Sequence, residues 1–289
     1  MAHPFYFFIA EAASLVLFMA AAFEMRRQGR GRFLEFVMIF FYGLILEELD
    51  MRFFKSYHYG SGFGMMLGRV PVSIALLWAV IVSGSMAISD ACGLPEPVKP
   101  FFDALLAVWL DLSLDAIAIR VGFWSWVIPL NQGWFGVPAG NLYAWMWVAF
   151  FYSVFARMLR LLLEKDKRWT GLYAAIPFIC YVFLFLQLNL IGFAGRLLGL
   201  TTPNQRLWLF AAQFLVFLIV AAVSWPRRAS AQKGIAPLWI GSRAAIHLFF
   251  LFLFFHAGIY RTLPVLGLVS GFVMAVDFIF LKKVCHAGS

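Results

Sequence analysis

Residues 101–120 read FFDALLAVWLDLSLDAIAIR, and this stretch decides the fold class. Twenty mostly apolar residues are what a helix needs to cross the ~30 Å hydrocarbon core of a bilayer. The apolar run is continuous rather than alternating, so it reads as helix and not as barrel strand. It also carries Asp103, Asp111 and Asp115. Ionisable groups inside a bilayer are costly, and their default reading is functional.

Similar runs fill the rest of the chain. Nine segments qualify, at about 4–24, 33–49, 70–89, 101–120, 141–163, 170–193, 206–224, 237–258 and 264–281. The second and last are short, which leaves eight spans as the alternative. Composition agrees: 63% of the 289 residues are hydrophobic and 13% charged, too apolar for a soluble chain. Many aromatics and little charge exclude disorder, and three cysteines exclude a disulfide scaffold. The expected fold is therefore all-α: one transmembrane helix bundle over 1–289, with no soluble domain and no convincing internal repeat.

Charge sets the expected orientation. With the N-terminus outside and the C-terminus in the cytoplasm, the inner loops hold Arg26, Arg27, Arg30 and Arg32, then Lys99, then Arg157, Arg160, Lys165, Lys167 and Arg168, then Arg227, Arg228 and Lys233, then Lys282 and Lys283. They outnumber the outer set of Arg52, Lys55, Arg69, Arg120, Arg196, Arg206 and Arg261. This bias accounts for the net charge of +9 without any nucleic-acid partner. The first segment has no Lys or Arg before Arg26, so it reads as an uncleaved helix despite the small residues Ala20, Ala21 and Ala22. The expected location is a bacterial cytoplasmic membrane.

Missing motifs narrow the chemistry. His3, His58, His247, His256 and His286 include no pair at the spacing a di-iron site requires. No CxxC, HExxH or GxGxxG is present, so neither metal nor redox cofactor is expected. Cys92, Cys180 and Cys285 stand alone and read as packing residues. The Gly60, Gly64, Gly68 spacing falls in a polar loop and reads as a flexible turn.

The carboxylates carry the functional reading. Asp111 and Asp115, four apart, share a helical face. Two carboxylates that close in a low dielectric cannot both ionise easily, and a carboxylic acid kept neutral is a proton donor. Glu47, Glu48 and Asp50 end the second span on the same outer side, followed by Tyr57, His58 and Tyr59. Glu11 is a further outer candidate and His256 a second-rank one. Asp103 and Asp277 read as structural, the latter near Lys282 and Lys283, and Arg243 and His247 as partners for buried acids.

The segment Val121–Gly140, VGFWSWVIPLNQGWFGVPAG, has no charge and three tryptophans, Trp124, Trp126 and Trp134. It reads either as an interfacial aromatic belt or as a segment roofing an apolar cavity. Acid beside aromatic rings suits protonation of an alkene, with the carbocation held over ring faces. Water then gives a tertiary alcohol, an internal double bond gives a ring, and proton loss gives an isomer.

The stretch Asp111–Asn141 resembles the signature of the membrane carotenoid biosynthesis family that includes the carotenoid 1′,2′-hydratases and bisanhydrobacterioruberin hydratase. The matching positions are Asp115, Gly122, Trp124, Trp126, Gly136, Pro138, Asn141 and Trp145. Glu47 to Asp50, Tyr57 to Tyr59, and Gly68-Arg69-Val70-Pro71 through Trp78 are similar too, so the resemblance covers about residues 45–150. Ala116 departs from it, standing where the family pattern has Pro. The resemblance implies an enzyme acting on a hydrophobic carotenoid or isoprenoid in the membrane, in association with other carotenoid enzymes: a hydro-lyase adding water to the terminal isopropylidene double bond of an acyclic carotenoid end. On the matching motif, Asp111 or Asp115 is expected as general acid, with the second carboxylate or Glu48, beside Glu47, positioning water. Trp124, Trp126, Trp134, Tyr57, His58, Tyr59, Asn141 and Trp145 are expected to line the substrate. A cyclase or prenyltransferase, and a pigment-binding or scaffold subunit without activity, are the alternatives.

Overall fold

α4 (Lys99–Val121) contains the acid-bearing apolar stretch 101–120, and the other helices gather around it. Eighteen of its 23 residues are buried, acids included. The structure is a computed structural model describing residues 4–226 and 234–286, residues 283–286 by backbone alone. His3, Arg227, Arg228, Lys233 and the side chains of Lys283, Cys285 and His286 lie outside the described residues.

α4 packs on α3 (Val72–Ala91), α5 (Ala139–Lys165), α7 (Pro203–Val223), α8 (Pro237–His256) and α10 (Pro264–His286). α1 (Pro4–Arg27) leans on α2 (Arg30–Phe53), α3 and α8, while α2 also meets α6 (Ile176–Leu197). A single turn, α9 (Ile259–Thr262), joins α8 to α10. Ala104, Ala107, Ala116 and Ala118 on α4 are fully buried, small residues that let neighbouring backbones come close. Ala116 leaves the helix unbroken where a Pro would kink it.

Every segment expected to be helical is helical. Two starts move: 70–89 opens with a strand over Val70–Pro71 before its helix, and 170–193 begins within a 3₁₀ stretch, Lys167–Ala175, with α6 proper starting where Pro177 fits the first turn. Among the described residues, seven helical segments are long and apolar enough to cross a membrane: α1, α3, α5, α6 with its 3₁₀ lead-in, α7, α8 and α10. α2 and α4 are as long, but their charged residues keep them out of that set. The chain is a helical membrane protein.

The two ends of α4 are treated differently. At its start, Asp103 is fully buried and meets Arg157, whose Nη2 lies 3.2 Å away, and Ser153, whose Oγ donates at 2.6 Å. Arg157 also contacts Asp90, Ser89 and, at 3.5 Å, Glu96. Arg160 forks onto Glu35, and Lys99 reaches Asp90 at 3.2 Å. Arg157, Arg160 and Lys99 thus belong to helices, not to loops. Asp277 is paired with Arg243 Nε at 2.8 Å and His247 Nε2 at 2.9 Å.

Past the C-terminal end of α4, short strands close the bundle. β1 (Tyr57–Tyr59) pairs antiparallel with β4 (Trp124–Trp126), and β2 (Met66–Leu67) with β3 (Val70–Pro71). The glycine-spaced loop is a built element. Glu11 Oε1 accepts the Gly64 and Met65 N–H groups at 2.9 and 2.8 Å, and Gly68, at φ +62°, turns the β2–β3 hairpin. Glu11 therefore serves this loop.

Arg157→Ala would leave Asp103 buried without its cation. Breaking a buried pair from one side costs about 3–5 kcal/mol. The expected result is a large fall in thermal midpoint in detergent, measured by tryptophan fluorescence or circular dichroism.

Candidate active site

Alternation along a strand decides which loop residues face inward. β1 and β4 are in register Tyr57 to Trp126, His58 to Ser125 and Tyr59 to Trp124. Side chains of successive residues point to opposite faces. Tyr57, Tyr59, Trp124 and Trp126 therefore share one face, and all four line a cavity of about 550 Å³. Tyr57 lies against Trp126 with ring centroids 4.8 Å apart, and Tyr59 meets Trp124 edge-on at 6.0 Å. His58 and Ser125 share the other face, where they bond each other at 2.9 Å in the open.

Gly60 and Gly122 allow the strands to approach the end of α4. Gly122 takes the left-handed conformation that ends the helix, at φ +80°. A Cβ on Gly60 would stand 2.2 Å from the Gly122 carbonyl oxygen. The ladder continues as Gly60 N–H donates to Phe123 O at 2.8 Å and Val127 N–H to Ser56 O at 2.9 Å.

Beneath this roof lie four carboxyl groups. Glu47 is buried and accepts from Tyr57 Oη, from Tyr59 Oη at 2.6 Å and from Trp78 Nε1 at 2.8 Å. Asp115 accepts from Trp124 Nε1 and from Asn141 Nδ2. The same Asn141 nitrogen donates to Asp111 Oδ2 at 2.9 Å, so one amide bridges both aspartates. Asp50 is buried and receives Tyr181 Oη at 3.3 Å. None of these four makes an ion pair among the described residues; their hydrogen-bond donors are neutral. Burial and the adjacent Glu47 push the Tyr57 and Tyr59 hydroxyls well above the usual phenol range, so both remain donors.

Glu47, Asp50 and Asp115 line the cavity, along with Trp78, Asn141 and Trp145. Trp78 and Trp145 pack at 4.3 Å between ring centroids. Asp111 is fully buried but does not line the cavity; it stands one turn back on α4. The far wall and mouth come from α6 and α7, where Asn189, Arg196 and Arg206 are exposed. The α6–α7 turn is held by a capping box: Thr202 Oγ1 accepts Gln205 N–H at 3.2 Å, and Gln205 Oε1 accepts Thr202 N–H at 3.0 Å.

Some expected residues lie elsewhere. Glu48 is one position from Glu47, about 100° round the helix. It binds Arg52 Nε at 2.6 Å and the Arg69 N–H at 3.0 Å and does not line the cavity. His58 faces outward for the strand reason above. Trp134 belongs to the turn that folds back on α4; its Nε1 donates to Leu112 O at 2.7 Å and its ring meets Phe135, outside the cavity. His256 bonds Tyr6 Oη at 2.8 Å, also outside it.

Asp50 stood among the candidate carboxylates and Trp78 within the family resemblance, but neither was assigned a role at the site. Asp50 had a usable signal, since three residues from Glu47 places both on one face. The α6 and α7 residues had none, because only tertiary packing brings them to the acids.

A family model described as a carotenoid biosynthesis protein matches residues 5–202. The chain belongs to this carotenoid biosynthesis family. The match takes in all four carboxyls, both strands of the roof and α6, and stops before α7. Arg206 therefore lies beyond it, while Arg196 lies within. No curated protein and no solved structure matches the chain.

Gly60→Ala would drive β1 off the end of α4. Overpacking of this kind costs roughly 1–3 kcal/mol. Thermal midpoint and carotenoid conversion should both fall, whereas Gly171→Ala, with nothing within 4 Å, should change neither.

Proposed function

We propose that this member of the carotenoid biosynthesis family is a cofactor-free hydratase of the terminal isopropylidene double bond of an acyclic carotenoid end. The observation that carries the reading is a cluster of four carboxyls with no ion-pair partner among the described residues, three of them on the wall of an aromatic cavity. In a low dielectric, four such groups cannot all hold charge, so the cluster retains protons to give.

Asp115, backed by Asp111 through Asn141, is the proposed acid. Its carboxyl proton forms a C–H bond at the less substituted alkene carbon while the π bond breaks, leaving a tertiary cation. Faces of Trp124, Trp126, Tyr57 and Tyr59 stabilise that cation by ~2 kcal/mol or more once desolvated. Glu47, held by three donors as a charged acceptor is, takes a proton from water as its oxygen bonds to the cation. Return of that proton to Asp115 resets the site. The net reaction is alkene plus water to tertiary alcohol, with no oxidant or reductant.

In this reading α2 and α4 cross the membrane inside the bundle, making nine spans in one transmembrane unit. The N-terminus is outside, the C-terminus cytoplasmic, and the site opens near the outer face of a bacterial cytoplasmic membrane. A second reading, transfer of a prenyl group, is favoured by Arg196 and Arg206 at the mouth, which could take a diphosphate.

The test is pigment mass spectrometry after expression in lycopene-accumulating cells in ¹⁸O-labelled water. A product heavier by one labelled water is expected. A ring-containing isomer of unchanged mass, or a product heavier by an isoprenoid unit, would replace hydration by cyclisation or prenyl transfer. Bound but unaltered pigment would replace it by a carrier role.

General acids and bases contribute typically ~10²–10⁴-fold. Asp115→Asn and Glu47→Gln should lower turnover by about that factor with the thermal midpoint retained. Glu48→Gln should stay within about threefold of the parent, since Glu48 only braces Arg52 and the β2–β3 hairpin.

A further inference from the structure

A second void lies on the other side of α3. It is a groove of about 420 Å³ between α1, α3 and α8. Small residues at such a helix junction usually let backbones close up. Here Ala10, Ala13 and Ala245 leave space instead. No charged residue lines the groove, and Ser14 and Ser73 are the polar exceptions apart from the Trp124 indole.

This groove and the acid-lined cavity share three lining residues: Ile74, Leu77 and Trp124. The same three side chains therefore border both voids. Trp124 is the telling member, because its indole N–H holds Asp115 while its side chain also borders the groove.

We propose that the groove is the second half of the substrate path and holds the polyene chain whose terminal double bond lies against Asp115. The inference rests on the function proposed above. A conjugated polyene is stiff and cannot fold back, so the chain must leave the acid-lined cavity in a line. Two directions are open. The α6–α7 mouth carries exposed Asn189, Arg196 and Arg206, and neither arginine has an ion-pair partner among the described residues. Laying a hydrocarbon there would desolvate two cations without compensation. The groove costs no such desolvation, and burying a polyene in it gains ~25 cal/mol per Å² of apolar surface. The hydrocarbon thus belongs to the groove and the polar mouth to water. Leu77, a flexible side chain bordering both voids, is the one that moves aside to join them in this proposal.

The test fills the groove at positions that do not line the acid-lined cavity. Ala245 is exposed and Ala13 half-buried, so a tryptophan fits at either without replacing a packed core residue. Ala13→Trp and Ala245→Trp are made in the full-length protein, and thermal midpoints are recorded. Binding of radiolabelled lycopene is compared with that of radiolabelled geraniol, which carries the same terminal group on a short chain. The Kd for lycopene should rise by about tenfold or more relative to that for geraniol in both variants. Lycopene binding indifferent to both tryptophans, or an equal loss for the two ligands, would overturn the proposal. The readout needs no turnover. A parent protein that binds lycopene tightly without hydrating it would remove the reaction and leave the path, whereas hydration that persists in both variants with unaltered lycopene affinity would remove the path and leave the reaction.

Discussion

One amide nitrogen, Nδ2 of Asn141, sits between Asp111 and Asp115, and the arrangement of the roofed end of the bundle follows from it. Two carboxyls on consecutive turns of a buried helix would repel if both were charged. Among the described residues no arginine or lysine pairs with them. The chain supplies neutral donors: Asn141 from α5, Trp124 from β4, and, for the neighbouring Glu47, Tyr57, Tyr59 and Trp78. The donors come from α3, α5, β1 and β4 and the acids from α2 and α4, so all of these elements must meet at this point. The aromatic character of the cavity is a by-product of the same requirement, since Tyr and Trp are large apolar groups that carry a hydrogen-bond donor.

The start of α4 shows what the protein does with acids it only has to store. There Asp103 and Glu35 are matched to Arg157 and Arg160, and on α10 Asp277 is matched to Arg243 and His247. A buried ion pair is costly to assemble but costlier to break from one side. It suits a fixed joint between helices. Carboxyls left with neutral partners suit a group that must change its proton count, and this contrast within one chain is the physical ground for assigning chemistry to the roofed end.

The proposed reaction asks for two reactants of opposite character, water and a hydrocarbon. The surroundings of the cavity divide the same way. Polar side chains from α6 and α7 stand at its mouth, and an apolar groove lies behind Trp124. Trp124 belongs to both regions, which places the acid it holds at the boundary between them. The family match covers the acids, the roof and α6 but not α7 or α8, so residues on both sides of that division include some beyond it.

Helices, their approximate limits and the membrane setting were legible in the amino-acid sequence, because apolar run length and continuity are local properties that the bilayer reads directly. So was the Asp111–Asp115 face, fixed by helical spacing, and the family resemblance in residues 45–150. Inward and outward choices near the site were harder. His58 was expected beside its tyrosine neighbours, but pairing of β1 with β4 turns alternate residues apart, and no local pattern in three residues announces that strand. Glu48 and Asp50 exchanged places for a similar reason: which face of α2 meets the cavity depends on how it packs against α3 and α6. Trp134 looked equivalent to Trp124 and Trp126 by composition, yet the turn at Gly133 and Gly136 sends it to Leu112 instead. Arg196 and Arg206 offered no signal at all. Sequence determined what each segment could be, because secondary structure in a membrane answers to local hydropathy. Only the tertiary structure decided which side chains share a cavity, because that depends on contacts between residues far apart in the chain.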